Sequence, residues 1–142
     1  LVRALEPLPF ALRWIDSRDD IFPADLPPWL EAEHSDPVER ALPGLAAGSH
    51  VLIMTHSHEE DFALVAACLR RQREAADLAF IGLIGSASKW ASFGRRLRER
   101  GFLEDEMEQV RCPLGWPAIR GKQPAVIAAS VAAQLLAIGS SI

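Results

Sequence analysis

The chain predicts an α/β fold with a parallel sheet flanked by helices, and three observations carry that prediction. Short apolar runs at residues 10–15, 50–55 and 79–84 each stop at a polar or glycine-rich loop. Between and after them, apolar residues recur at helical spacing, as Phe62, Val65, Ala66 and Leu69 do and as Trp90, Phe93, Gly94 and Leu97 do. The runs at 50–55 and 79–84 also lack the alternation of a half-solvated strand, which suits parallel strands covered on both faces. Strands alternating with helices imply βαβ units joined by right-handed crossovers.

The elements follow in order. Phe10 to Ile15 is a strand that runs into the acidic turn Asp16-Ser17-Arg18-Asp19-Asp20. Three prolines between Ile21 and Pro28 predict an irregular excursion, and Trp29 to Glu33 a short edge strand. Asp36-Pro37 opens a short helix, with Asp36 as N-cap and Pro37 in the first helical position, and Pro43-Gly44 ends it. His50 to Thr55 is a strand buried on both faces, and residues 58–73 form an amphipathic helix. The next strand, Ala79 to Ile84, is stopped by Gly85-Ser86. The helix carrying Trp90 to Leu97 ends at Gly101, and a second short helix covers Glu104 to Val110. Residues 112–117 form a loop. Pro124 starts a final helix to about Ala137, apolar nearly all round and therefore largely buried.

Composition limits what this fold can do. A chain of 142 residues makes one ordinary domain. Its 49% hydrophobic and 24% charged content describes a soluble globular protein. A net charge of −4 supplies no general attraction to nucleic acid or anionic membrane. Cys68 and Cys112 lie far apart without a C-x-x-C motif, so neither a zinc knuckle nor a disulfide scaffold is indicated. No apolar stretch reaches the roughly 20 residues needed to cross a bilayer, no signal peptide is visible, and a reducing cytoplasm is the default location.

In parallel sheets ligands bind beyond the carboxyl ends of the strands, which singles out the loops 16–20, 55–61, 85–89 and 113–122. Asp16 ends the first strand, where an acid can accept hydrogen bonds from a ribose diol; it can equally form an Asx turn. Arg18 can clamp a phosphate or pair with Asp19 or Asp20. Gly85, Ser86 and Lys89 open a helix, where free N–H groups and a cation suit an anion. The plain alternative is a glycine turn, a serine cap and a solvated lysine. Arg120, Gly121 and Lys122 offer two cations ahead of another helix, or a solvated charge pair. Thr55, His56, Ser57 and His58 come close to the zinc cluster of metallo-β-lactamase-like hydrolases. The later positions hold Glu60 and Asp61, however, and no histidine follows residue 61. His50 begins the strand that His56 follows, about 17 Å away. These four residues therefore read better as the wall of a ligand cleft, with Thr55 and Ser57 also placed to cap the next helix. Cys68 is expected to be packing, and Cys112, before Pro113, is a weak candidate for sulfur chemistry.

Taken together, the segments W-I-D-S-R-D, V-L-I-M-T-H-S-H-E-E-D, F-I-G-L-I-G-S-x-x-K and C-P-L-G-x-P-x-I-R-G-K-x-P-A-V-I-A-A-S-V-A-A-Q-L resemble the C-terminal domain of the XdhC/CoxI family. These are the xanthine dehydrogenase accessory proteins, and the resemblance spans nearly the whole chain. It implies a Rossmann-like domain that binds molybdenum cofactor (molybdopterin). Such a protein protects the cofactor during sulfuration by a cysteine desulfurase and assists its insertion into a xanthine dehydrogenase-type molybdoenzyme. The implied role is that of a chaperone-like maturation factor, with no catalytic residue assigned, no metal ligand, and a homodimer among the open assemblies. On this reading the pterin phosphate lies near Ser86, Lys89, Arg120 and Lys122, and Asp16 with the 55–58 loop holds the more polar part. An NAD(P)-dependent oxidoreductase is the alternative, resting on Asp16, and a zinc hydrolase is the third. The resemblance also calls for a strand and a glycine loop ahead of Leu1, so a gap is expected beside the strand 10–15.

Overall fold

The computed structural model describes residues 1–140. Its elements are α1 (Val2–Leu5), β1 (Arg13–Asp16), β2 (Glu31–His34), a 3-10 helix (Val38–Gly44), β3 (His50–Ile53), α2 (His58–Glu74), β4 (Phe80–Leu83), α3 (Ala87–Glu99), α4 (Glu104–Met107), β5 (Val110–Arg111) and α5 (Pro124–Ser140). Every strand pairing is parallel. β1 pairs with β2 from Arg13 opposite Glu31 to Asp16 opposite His34. In a second sheet β4 is central, with β3 on one side and β5 on the other. The parallel α/β architecture expected from the alternating runs is therefore present.

Two apolar clusters cover the larger sheet. On one face Phe62, Val65 and Leu69 of α2 meet Ile81 and Leu83 of β4 and Phe93 and Leu97 of α3. On the other, Leu5 of α1 and Val131 and Leu135 of α5 pack with Phe80 and, partly buried, Leu52. Gly82 marks where a loop lies directly on β4. A Cβ there would stand 2.4 Å from Leu114 Cδ1, so only glycine admits that approach. Arg71 ties α2 to the 3-10 helix by donating to the Leu42 and Leu45 carbonyls while gripping Asp77 with its remaining donors. Among the described residues no helix is long and apolar enough to cross a membrane.

The two sheets are not joined. Among the described residues β1 and β3 each keep one edge without a strand partner, and both line a cavity of about 1150 Å³. This cavity lies beside the strand predicted at 10–15. It also corrects the expectation for β3. Only Ile53 is fully buried, while His50, Val51 and Leu52 are half-buried, because β3 is an edge strand bordering the cavity.

Four local expectations are also corrected. Residues 38–44 form a 3-10 helix in place of an α-helix, with Pro43 inside it; Pro37 is its N-cap and Asp36 is not. A proline there has no N–H for the α-helical ladder. The short helix stops at Met107, and Val110-Arg111 form β5 on the edge of β4. The edge strand β2 sits one to two residues later than expected. Finally, α5 leaves Leu136 39% exposed, because only one side of the helix meets the sheet.

Candidate functional site at the strand ends

Three of the four expected loops converge at the carboxyl edge of the sheets. After β1, Asp16 closes on its own loop. Its Oδ1 accepts from the Arg18 backbone N–H at 2.9 Å and from Arg18 Nε at 3.0 Å, and its Oδ2 accepts from Nη2 at 3.1 Å. This fork holds the Asp16 carboxyl below its usual range, against the opposing effect of burial, and nearby His56 adds a smaller pull in the same direction. His34, at the end of β2, reaches the Ser17 carbonyl with Nε2 at 3.0 Å and fixes the turn. Both the ribose-acceptor and Asx-turn readings meet here: the turn exists, and Arg18 occupies the oxygens a diol would need.

After β3, Ser57 caps α2 by accepting from the Glu60 N–H at 3.4 Å. The Thr55 hydroxyl accepts from the Ser57 N–H at 3.1 Å and lies 2.8 Å from Asp61 Oδ1, which also accepts from the Thr55 N–H at 2.9 Å. His56 and His58 are exposed, and His56 Nδ1 stands 3.3 Å from Glu60 Oε2. The β1 and β3 loops are electrically in touch, since His56 acts on Asp16 and Glu60 on Arg18. The cavity between the sheets opens between them, lined by Asp16 and Arg18 on one side and Thr55 on the other.

Asp61 is the residue that sequence reasoning undervalued. It is 1% exposed, and its Oδ2 receives the Lys89 ammonium at 2.7 Å. Lys89 Nζ also donates to the Ile84 carbonyl at 2.9 Å. The Lys89 charge is thus spent inside the protein, tying the β4 loop to the β3 loop, and does not stand free for an anion. Its stem lies over Gly85, where a Cβ would meet Lys89 Cδ at 2.5 Å, and φ there is +154°. Ser86 caps α3 by accepting from the Lys89 N–H at 3.2 Å. One signal for the pair existed in the sequence: Asp61 falls on the same helical face as Phe62 and Val65, where a carboxylate needs a partner.

The fourth loop leaves β5 beside the third. Cys112 Sγ lies 3.7 Å from the Gly85 carbonyl and 3.9 Å from that of Ser86. Burial pushes its thiol pKa up, with Lys89 pulling the other way. Beyond it, two buried α5 side chains pin the loop backbone: Gln134 Oε1 accepts from the Gly115 N–H at 2.9 Å and Ser130 Oγ from the Trp116 N–H at 2.6 Å. Trp116 is left 43% exposed. Arg120, Gly121 and Lys122 stand exposed further along. No acidic residue occurs after Glu108, so this part of the chain is purely cationic, through Arg111, Arg120 and Lys122. Among the described residues, no group of three or more His, Cys, Asp or Glu side chains is arranged to hold a metal ion.

With this geometry in view, comparison with known families is decisive: the model of the XdhC Rossmann domain matches residues 1–135. The chain belongs to the XdhC Rossmann-domain family. No curated protein is similar enough to the chain to count as a match. The strand-end loops described above are therefore those of an XdhC Rossmann domain, and the family points to a xanthine dehydrogenase accessory role.

Proposed function

We propose that this domain binds molybdenum cofactor at the carboxyl edge of its sheets and acts as a maturation factor for a xanthine dehydrogenase-type molybdoenzyme. It receives cofactor sulfurated by a cysteine desulfurase and passes it on in the cytoplasm. The observation that carries this reading is that Asp16 and Arg18 after β1 and Thr55 after β3 line one cavity in a member of this family. The edge suits an anionic, donor-rich pterin. His56 and His58 present ring nitrogens, and Thr55 and Ser57 shape the α2 start. Arg18, Gly85 and Ser86 line the adjoining turns, while Arg120, Gly121 and Lys122 supply positive charge from the last loop. Lys89 supports the site from inside, through Asp61. The bound cofactor supplies the redox and oxo-transfer chemistry of the client enzyme; the residues here bind it, orient it and shield it.

An NAD(P)-binding role rests on Asp16, whose two oxygens are held by Arg18 in this structure. Titration with molybdopterin and, separately, with NAD(H) and NADP(H), followed by tryptophan fluorescence, tests the proposal. Saturable quenching by the pterin supports it. Tight dinucleotide binding without a pterin response would replace it with the oxidoreductase reading.

A further inference from the structure

From the end of β3 into α2, exposure alternates residue by residue. Ile53 is buried and Thr55 and Ser57 are half-buried, while Met54, His56 and His58 are exposed. The inward residues are occupied, Thr55 with Asp61 and Ser57 with the cap of α2. Ser57 itself is extended, with φ −133° and ψ 128°, and alternate residues of an extended chain share a face. A thioether and two imidazoles therefore stand on the open side of one short stretch.

Charge supplies a second, independent observation. Four carboxylates belong to this edge, and three of them have a permanent cation: Asp16 has Arg18, Glu59 has Arg96 and Asp61 has Lys89. Glu60 is the exception among the described residues. Its ion-pair contact is His56, whose Nδ1 stands 3.3 Å from Oε2 and which is charged only when protonated. That oxygen is shut off from water and accepts no aligned hydrogen bond. A carboxylate oxygen so placed calls for positive charge nearby. Facing Nδ1, it also favours the ring form with Nδ1 protonated and Nε2 free, the arrangement found behind metal-bound histidines.

We propose that Met54, His56 and His58 bind a soft monovalent metal ion, Cu(I), through the thioether sulfur and the two imidazoles, with Glu60 orienting His56 and balancing the charge from behind. Zinc asks for four nitrogen, sulfur or oxygen ligands, and no set of His, Cys, Asp and Glu here provides them. Cu(I) accepts a smaller set and takes thioether sulfur together with imidazole. The bound ion supplies the one carboxylate of this edge that lacks a permanent cation. The N-terminus of α2 alone would repel a cation, but Glu59, Glu60 and Asp61 in its first turn reverse the local charge. The site goes beyond the cofactor reading and does not rest on it.

Anaerobic titration of the untagged protein with Cu(I), in competition with the chelator bicinchoninate, tests this. A single ion should bind per chain, more tightly than to a free peptide of residues 54–60. In nitrogen-15 NMR the ring nitrogens of His56 and His58 should shift while those of His34 and His50 stay in place. His56→Gln or His58→Gln should abolish binding. Met54→Leu, similar in size, should weaken Cu(I) binding and leave any zinc affinity unchanged. Glu60→Gln should weaken Cu(I) roughly 10–100-fold, as loss of the group behind a metal-bound histidine does. Met54, His56 and His58 are exposed, so their variants should unfold at the urea midpoint of the unsubstituted protein. Cys112 offers a competing thiol, and binding that disappears in Cys112→Ser overturns the proposal. So does affinity no better than that of the free peptide, a shift at His34 or His50 instead, or indifference to Met54→Leu. No pterin is present, so these outcomes are read apart from those of the cofactor titration.

Discussion

Replacing Asp61 should unlock two site loops together. Its carboxylate accepts from the Thr55 N–H at 2.9 Å, lies 2.8 Å from the Thr55 hydroxyl and pairs with Lys89 at 2.7 Å. The Asp61 side chain is 1% exposed and that of Lys89 12%, so water compensates for little. Asp61→Ala leaves an ammonium buried without its counter-charge, which costs about 3–5 kcal/mol. Asp61→Asn keeps an acceptor for Thr55 but turns a donor toward Lys89, removing a charge-assisted bond for about 2–3 kcal/mol. Lys89→Met alone strands the carboxylate. In the double variant Asp61→Asn/Lys89→Met neither charge remains, so its cost should fall below the sum of the single costs by about 1–3 kcal/mol. Urea unfolding of the unsubstituted protein and the four variants, monitored by tryptophan fluorescence, gives these differences. Single costs under about 1 kcal/mol that simply add would refute the view that this pair joins the β3 and β4 loops.

Other consequences are equally direct. Gly85→Ala must push aside a Lys89 stem whose head is fixed by Asp61, so it should destabilise by about 1–3 kcal/mol in the same unfolding assay. Gly101→Ala, with φ +88° but nothing within 4 Å, should cost only the backbone strain of about 1 kcal/mol. The Asp16 carboxyl is depressed in the folded state, so its stabilising effect is complete above the ordinary carboxylate pKa of about 3.9 and is lost as pH falls through the lower folded value. Arg18→Ala should move the Asp16 NMR titration upward toward the ordinary value; an unmoved midpoint would show that Arg18 is not the cause. Burial pushes the Cys68 thiol up to about 12 and Cys112 up less far. Iodoacetamide at pH 8 should therefore modify Cys112 slowly and leave Cys68 untouched until the protein unfolds, as peptide mass mapping would read.

The main architecture was readable because buried parallel strands and helical stripes leave strong local patterns. The runs at 50–55 and 79–84 and the stripe from Phe62 to Leu69 each found their element. Where the sequence misled, longer-range pairing decided. Val110-Arg111 is too short to carry a strand pattern and becomes one only by lying against Ile81 and Gly82. The run at 50–55 looks like a covered strand, but among the described residues β3 has a strand partner on one edge alone. At the site, the caps at Ser57 and Ser86 follow from local chemistry. The engagement of Lys89 does not, because its partner Asp61 lies 28 residues away and meets it only across two strand ends. Asp16 was singled out for its position, yet the oxygen-by-oxygen grip of Arg18 is a property of the folded turn.

The most direct test of the cofactor reading is hydrogen–deuterium exchange with and without saturating molybdopterin. Slower exchange is expected at residues 16–18 and 55–60 together, in the loops after β1 and β3, with α4 unchanged. Protection confined to other surfaces, or none at either loop under saturation, would contradict it.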